Sequence, residues 1–226
     1  MNKVHDEENG LDTAPSIVGV AEDAFKGAQP GLGSQKRLIL MRHGNPDSRE
    51  ELGNQVAHSL AELFAAYPDQ KFDAVLYSPV KRTVMTAAAV YNQHVNKASV
   101  ATPGFAFPFE KQPWLKDTAG AELGYEGLLD KVRKLDDSWN TVLLVTHSTV
   151  APLLAKVLKA PATDKELVFT MSDYASVLVL DIQSDRWADA GLTPARISKV
   201  ISQTQTLDAA QLTTATDNFM QSLRTP

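Results

Sequence analysis

The chain has 226 residues, enough for one sizeable hydrophobic core and too few for two. Its net charge of −5, with Lys and Arg scattered along the sequence, argues against nucleic acid, whose phosphate backbone selects a clustered basic face. The absence of cysteine excludes disulfides, thiolate catalysis and cysteine-built zinc sites, while a small phosphorylated ligand, which needs only a local cationic pocket, stays open.

No apolar run approaches the roughly 20 residues that span a bilayer. The first residues, MNKVHDEENGLDTAPS, lack both the basic start and the apolar core of a secretory signal. A cytoplasmic protein without a membrane partner is the expectation. Residues 1–36, rich in Gly, Asp, Glu, Ala and Ser, read as a flexible or loosely docked N-terminal extension. Residues 37–226 read as a single domain that includes a C-terminal helix.

Regular alternation starts at Arg37. RLILMRH is a short apolar run suited to a strand covered on both faces. In REELGNQVAHSLAELFAAY, residues Leu52, Val56, Leu60, Leu63, Phe64 and Tyr67 recur at helical spacing. KFDAVLYSP reads as a second buried strand and VKRTVMTAAAVYNQHV as a second helix. ASVAT is expected to be a brief third strand, followed by an irregular stretch, PGFAFPFEKQPWLKDTAG. Residues 121–136 look helical, NTVLLVTHS is the most apolar strand, and TVAPLLAKVLKA is the helix after it. ASVLVLDI is a further strand, ARISKVISQTQ pairs at the edge, and residues 207–224 form an amphipathic helix. Strands alternating with helices predict an α/β fold, a three-layer sandwich with a mostly parallel central sheet flanked by helices.

In such sheets ligands bind beyond the carboxyl ends of the strands. The first strand ends at Arg42-His43, the second at Ser78-Pro79 with Arg82 just beyond, and the most apolar strand at His147. Each residue alone has an ordinary explanation: a paired arginine, a surface arginine, a buried histidine. Their joint placement at three strand exits points to one pocket. Two guanidiniums offer forked donors matched to phosphoryl oxygens. A neutral imidazole is a nucleophile toward phosphorus, and a second, protonated imidazole can donate to the phosphoryl oxygens. The arginines carry the positive charge, so no metal and no cofactor is expected.

LILMRHG resembles the defining motif of the histidine phosphatase superfamily, the phosphoglycerate mutase-like proteins. EELGNQVAHSLAELF is similar to the first helix of that family, FDAVLYSPVKRTVMTAAAV to its Ser-Pro-x-x-Arg-x-x-x-Thr-Ala segment, and TVLLVTHSTVAPLLAKVL to the strand carrying the second histidine. The resemblance covers residues 37 to about 182. It implies that His43 is the phosphorylated nucleophile and that Arg42, Arg82 and His147 complete the phosphate pocket. It also implies an acid in the loop after the third strand, for which Glu110 is the first choice and Asp117 and Glu122 are the runners-up.

The segment after Arg-His-Gly is short. Asn45 is a phosphate donor or a turn residue before proline, and Arg49 a rim cation or a surface residue. Ser148 stands where relatives often have glycine, able to cap the next helix and touch the ligand. Phe105, Phe107, Phe109 and Trp114 pack over the sheet edge or rim a substrate. Tyr125-Glu126-Gly127 is local helix structure, and His5, His58 and His94 are incidental. The short form is similar to the small phosphohistidine phosphatases. The expected function is a metal-independent phosphatase acting on a phosphomonoester or phosphohistidine, in a small molecule or a phosphoprotein, through a covalent phosphohistidine on His43. The alternatives are a mutase-type phosphotransferase and a non-catalytic module that binds phosphorylated ligands.

Overall fold

The centre of the molecule is the apolar run read first in the sequence. Strand β1, Lys36–Arg42, has Leu38, Ile39, Leu40 and Met41 fully buried, because helices cover both faces of the sheet. Burial of each such side chain contributes about 1.5–3 kcal/mol. The computed structural model describes residues 35–98 and 107–222. The expected extension, residues 1–36, therefore lies outside the described residues except for its last two.

Strand β2 (Ala74–Tyr77) lies parallel to β3 (Phe109–Lys111) and to β4 (Thr141–Thr146), and β4 lies parallel to β1. Strand β5 (Val177–Ile182) runs antiparallel to β1, β6 (Arg196–Ile201) antiparallel to β5, and β7 (Thr206–Leu207) antiparallel to β6. The resulting seven-stranded sheet has the order β3-β2-β4-β1-β5-β6-β7. Alternate residues face opposite layers, as strand geometry requires. Leu38, Leu40, Leu76, Leu144, Leu178 and Leu180 pack on one side. Ile39, Met41, Val75, Leu143, Val145 and Val179 pack on the other.

Helices α1 (Arg49–Ala66) and α2 (Lys81–Ala98) cover the second face. Helices α3 (Ala119–Arg133), α4 (Val150–Val157), α5 (Asp164–Thr170) and α6 (Ala209–Ser222) flank the first. The three-layer α/β sandwich is thus as expected. Ser48 starts α1 by accepting the Glu51 amide on its hydroxyl at 3.2 Å, satisfying one of the free donors of the first turn.

Several elements differ from expectation. The strand expected at ASVAT falls outside the described residues beyond Ala98, which ends α2. A three-residue strand, β3, instead forms within the stretch read as irregular. Helix α3 begins two residues early and kinks at Gly124, whose φ of +64° suits glycine and few other residues. Helix α5 and strand β7 are too short to leave a periodic signal.

Candidate active site

Because β1, β2 and β4 are parallel and in register, with Arg42 opposite Thr146 and Tyr77 opposite Val145, their exits open on one edge. His43 continues from β1 and donates its backbone amide to the Thr146 carbonyl at 3.0 Å. The next residue has to be glycine. A Cβ on Gly44 would stand 2.8 Å from Cγ of Leu52 in α1, and the Gly44 amide donates to Oγ1 of Thr86 in α2 at 2.9 Å. Close packing of both helices thereby holds the chain leaving β1.

The two histidines meet. Their ring centroids are 5.5 Å apart, with the planes at 63°. His43, only 7% exposed, lies with Nδ1 2.9 Å from the Gly44 carbonyl oxygen. A carbonyl only accepts, so Nδ1 carries the proton and Nε2 keeps its lone pair. Burial pushes the His43 imidazole below its ordinary value. The Arg82 and Arg42 charges add to this, against the opposing hydrogen bond to Gly44. The result is a neutral ring with Nε2 unprotonated.

His147 is 2% exposed and has both nitrogens engaged. Arg82 donates to its Nδ1 from Nε at 3.2 Å and from Nη2 at 3.0 Å. Nδ1 is then the acceptor, and the proton resides on Nε2, 3.0 Å from the Ser78 hydroxyl. Burial first, and the Arg82 charge second, lower its pKa to about 4. Sequence reasoning expects a second imidazole that donates in its protonated form; here burial first, and the Arg82 guanidinium at its lone pair second, keep the ring neutral.

Arg82, in the first turn of α2, also donates to the Asp117 carboxylate at 2.6 Å. Burial works to raise the Asp117 carboxyl, but the Arg82 hydrogen bond, the His147 ring (charged at the low pH where a carboxyl titrates) and the Arg82 charge outweigh it and hold it below its usual range. Arg42 donates through one terminal nitrogen to the carbonyls of Met171, at 3.1 Å, and Ser172. Its guanidinium carbon lies 4.5 Å from the centre of the Tyr174 ring.

The other expected residues divide. Asn45 is engaged in its turn: it donates to Glu51 and accepts the Asp47 amide. Ser148 is half-buried in the turn after β4, but the cap of α4 is Thr149 and no side chain caps it. Glu110 is exposed on β3, three strand spacings or roughly 14 Å from β1. Its hydrogen bond is with Gln112 at 3.2 Å. Of the acids named from sequence, Asp117 is the one that reaches the cluster; Glu122 pairs with Thr118. Arg49 is exposed at the start of α1.

Phe109 packs on Tyr77 and Tyr91, and Trp114 is buried with Nε1 donating to Gln112, so both serve the sheet edge. Phe105, His5 and the side chain of His94 lie outside the described residues. His58 lies 3.2 Å from the Ser202 carbonyl. Sequence reasoning missed Tyr174, whose ring is 5.7 Å from that of His43, together with the Ser78 hydroxyl and Thr86. What brings Tyr174 here is strand direction, which a fully apolar run does not encode. An antiparallel β5 begins where β1 ends, so the residues before it fall on the same edge.

No protein-family model matches the sequence, and no curated protein matches it. Among solved structures, the chain is similar to a protein assigned as the phosphohistidine phosphatase SixA of Nakamurella multipartitia. The two are 19% identical, the match covers 75% of this chain and 96% of that one, and the TM-score is 0.51. A phosphoglycerate mutase from Plasmodium falciparum matches at 17% identity over 68% and 87% of the two chains, with a TM-score of 0.45. An alpha-ribazole phosphatase from Shigella flexneri matches at 16% identity over 66% and 92%, with a TM-score of 0.44. What the first of these shows is a common fold.

Proposed function

We propose that this chain, which has the histidine phosphatase fold, is a metal-independent phosphatase working through a phosphohistidine on His43. The observation that carries the reading is the His43 tautomer. A proton held on Nδ1 by the Gly44 carbonyl leaves Nε2 as a nucleophile 5.5 Å, ring to ring, from a second imidazole flanked by arginine. A binding module has no need for a histidine poised in this way, so turnover is favoured over recognition alone.

In the first step the Nε2 lone pair forms the N–P bond as the bond from phosphorus to the leaving group breaks. Arg42 and Arg82 balance the charge on the phosphoryl oxygens. An incoming dianion competes for Arg82, releases Nδ1 of His147 and offsets the charges that keep this ring neutral. His147 then takes up a proton and becomes a donor to phosphate. In the second step water attacks phosphorus, the N–P bond breaks, and orthophosphate leaves with His43 restored.

The leaving group narrows the substrate. Asp117 is held ionised by Arg82, so it has no proton to give in this arrangement. Leaving groups that depart without a strong acid suit such a site: an aryl oxygen, or the ring nitrogen of a phosphohistidine whose other nitrogen is protonated. Hydrolysis is favoured over mutase chemistry because Arg82 and Asp117, with side chains 31% and 44% exposed, leave the cluster open to water.

The test is hydrolysis of para-nitrophenyl phosphate and of a phosphohistidine peptide, in EDTA, by wild type and His43→Asn. Turnover by wild type that EDTA does not reduce, and its near-complete loss in the variant, is the expected result. Equal rates for the two proteins would remove His43 as the nucleophile.

A further inference from the structure

Arg42 is gripped by one short segment, residues 171–174. One terminal nitrogen donates to two consecutive carbonyls, of Met171 and Ser172, which fixes one end of the guanidinium within its plane. The face of Tyr174, 4.5 Å from the guanidinium carbon, fixes the plane itself. Among the described residues, Arg42 Nε is buried and accepted by nothing. Buried charged donors are ordinarily satisfied. A guanidinium held at one end in this way has the direction of its remaining nitrogens set by the grip.

The grip is itself anchored. Ala175 is fully buried and has a φ of +54°, a conformation that L residues rarely adopt. Its amide donates to the His43 carbonyl at 3.1 Å, and its carbonyl accepts the Ser59 hydroxyl at 2.8 Å. The Arg42 amide, in turn, donates to the Ser176 carbonyl at 3.0 Å. The segment that orients Arg42 is therefore tied to the backbone of the nucleophile, and Tyr174 stands beside both side chains.

We propose that Tyr174 is a positioning residue. Its ring sets the plane of the Arg42 guanidinium so that the free edge meets the phosphoryl group held at His43. The inference rests on the phosphatase reading, and it assigns to one aromatic side chain the alignment on which that pocket depends. The contact is made by the ring face, so the phenol oxygen is dispensable.

The experiment compares wild type, Tyr174→Phe, Tyr174→Leu, Arg42→Ala and the double variant Tyr174→Leu/Arg42→Ala. The readouts are kcat/KM on an aryl phosphate and on a phosphohistidine peptide, and orthovanadate affinity. Tyr174→Phe should stay within about twofold of wild type. Tyr174→Leu should lose on the order of ten- to a hundredfold, equally on both substrates, as misalignment by an ångström would cause. In the Arg42→Ala background the same change should cost less than about twofold, because the group being aligned is gone. Additive losses, a loss confined to the aryl substrate, or wild-type behaviour of Tyr174→Leu would each overturn the proposal. If Tyr174→Leu melts below the assay temperature, Tyr174→Gln, flat but not aromatic, replaces it under the same criteria. If wild type hydrolyses nothing, the phosphatase reading fails while the vanadate affinities still decide the role of Tyr174.

Discussion

Asp117→Asn isolates one charge without changing the shape of the site. Asp117 holds Arg82 by a 2.6 Å ion pair, with the two side chains 44% and 31% exposed. A pair this open is worth about 0.3–1 kcal/mol, and an incoming phosphate has to break it. A carboxylate left about 5 Å from a dianion in a water-like dielectric adds roughly 1.5 kcal/mol of repulsion, less as the side chain swings away. Together these give about 1–2 kcal/mol, so the variant should bind orthovanadate roughly 5- to 30-fold more tightly. The assay is competitive inhibition of aryl phosphate hydrolysis at fixed ionic strength, with a thermal melt as a folding control. Unchanged or weaker vanadate affinity in a folded variant would show that Asp117 does not compete with the ligand, and the account of Arg82 would fall with it.

His147 makes stability depend on pH. Its folded pKa of about 4 lies below the usual 6.5, so its contribution is complete above 6.5 and is lost as pH falls toward 4. From pH 7 to pH 4.5 this is about 2–3 kcal/mol, and urea titrations of His147→Gln should show a correspondingly smaller decline than wild type. The same decline in both would refute the buried neutral imidazole. Asp181 is fully buried and clamped by Arg37 at 2.7 Å and Arg196 at 2.8 Å, so Asp181→Ala should cost about 3 kcal/mol by chemical denaturation. A cost below about 1 kcal/mol would show that the clamp is idle. Lys159, just past the Leu158 cap of α4, has a φ of +55°, while Ala160 and Lys159 donate back to Ala155 and Lys156. Lys159→Gly should stabilise by about 1 kcal/mol, raising Tm by roughly 2–4 °C in calorimetry, and a lower Tm would contradict it.

The core strands were legible because a strand covered on both faces leaves an apolar run bounded by polar residues, as at Leu38–Met41 and Val142–Val145. The meeting of His43 with His147 was legible for the same reason: parallel strands in register end together. Direction is what such runs do not encode. A fully buried strand reads alike in either sense, so nothing marked β5 as antiparallel or placed Tyr174 beside Arg42. Asp117 rather than Glu110 comes to Arg82 for another reason. A one-turn 3-10 helix at Pro113–Leu115 redirects the loop and leads into Asp117 at Arg82, while Glu110 stays on the outermost strand. Loop courses of this kind depend on tertiary packing, which a local pattern does not carry.

Among the described residues, the two outermost strands are the shortest, three residues in β3 and two in β7. Sheet margins of such length offer a neighbouring molecule too few unpaired backbone groups to extend the ladder. A sheet with a highly apolar interior is thus shielded from growing into fibrils by where its brief strands are placed.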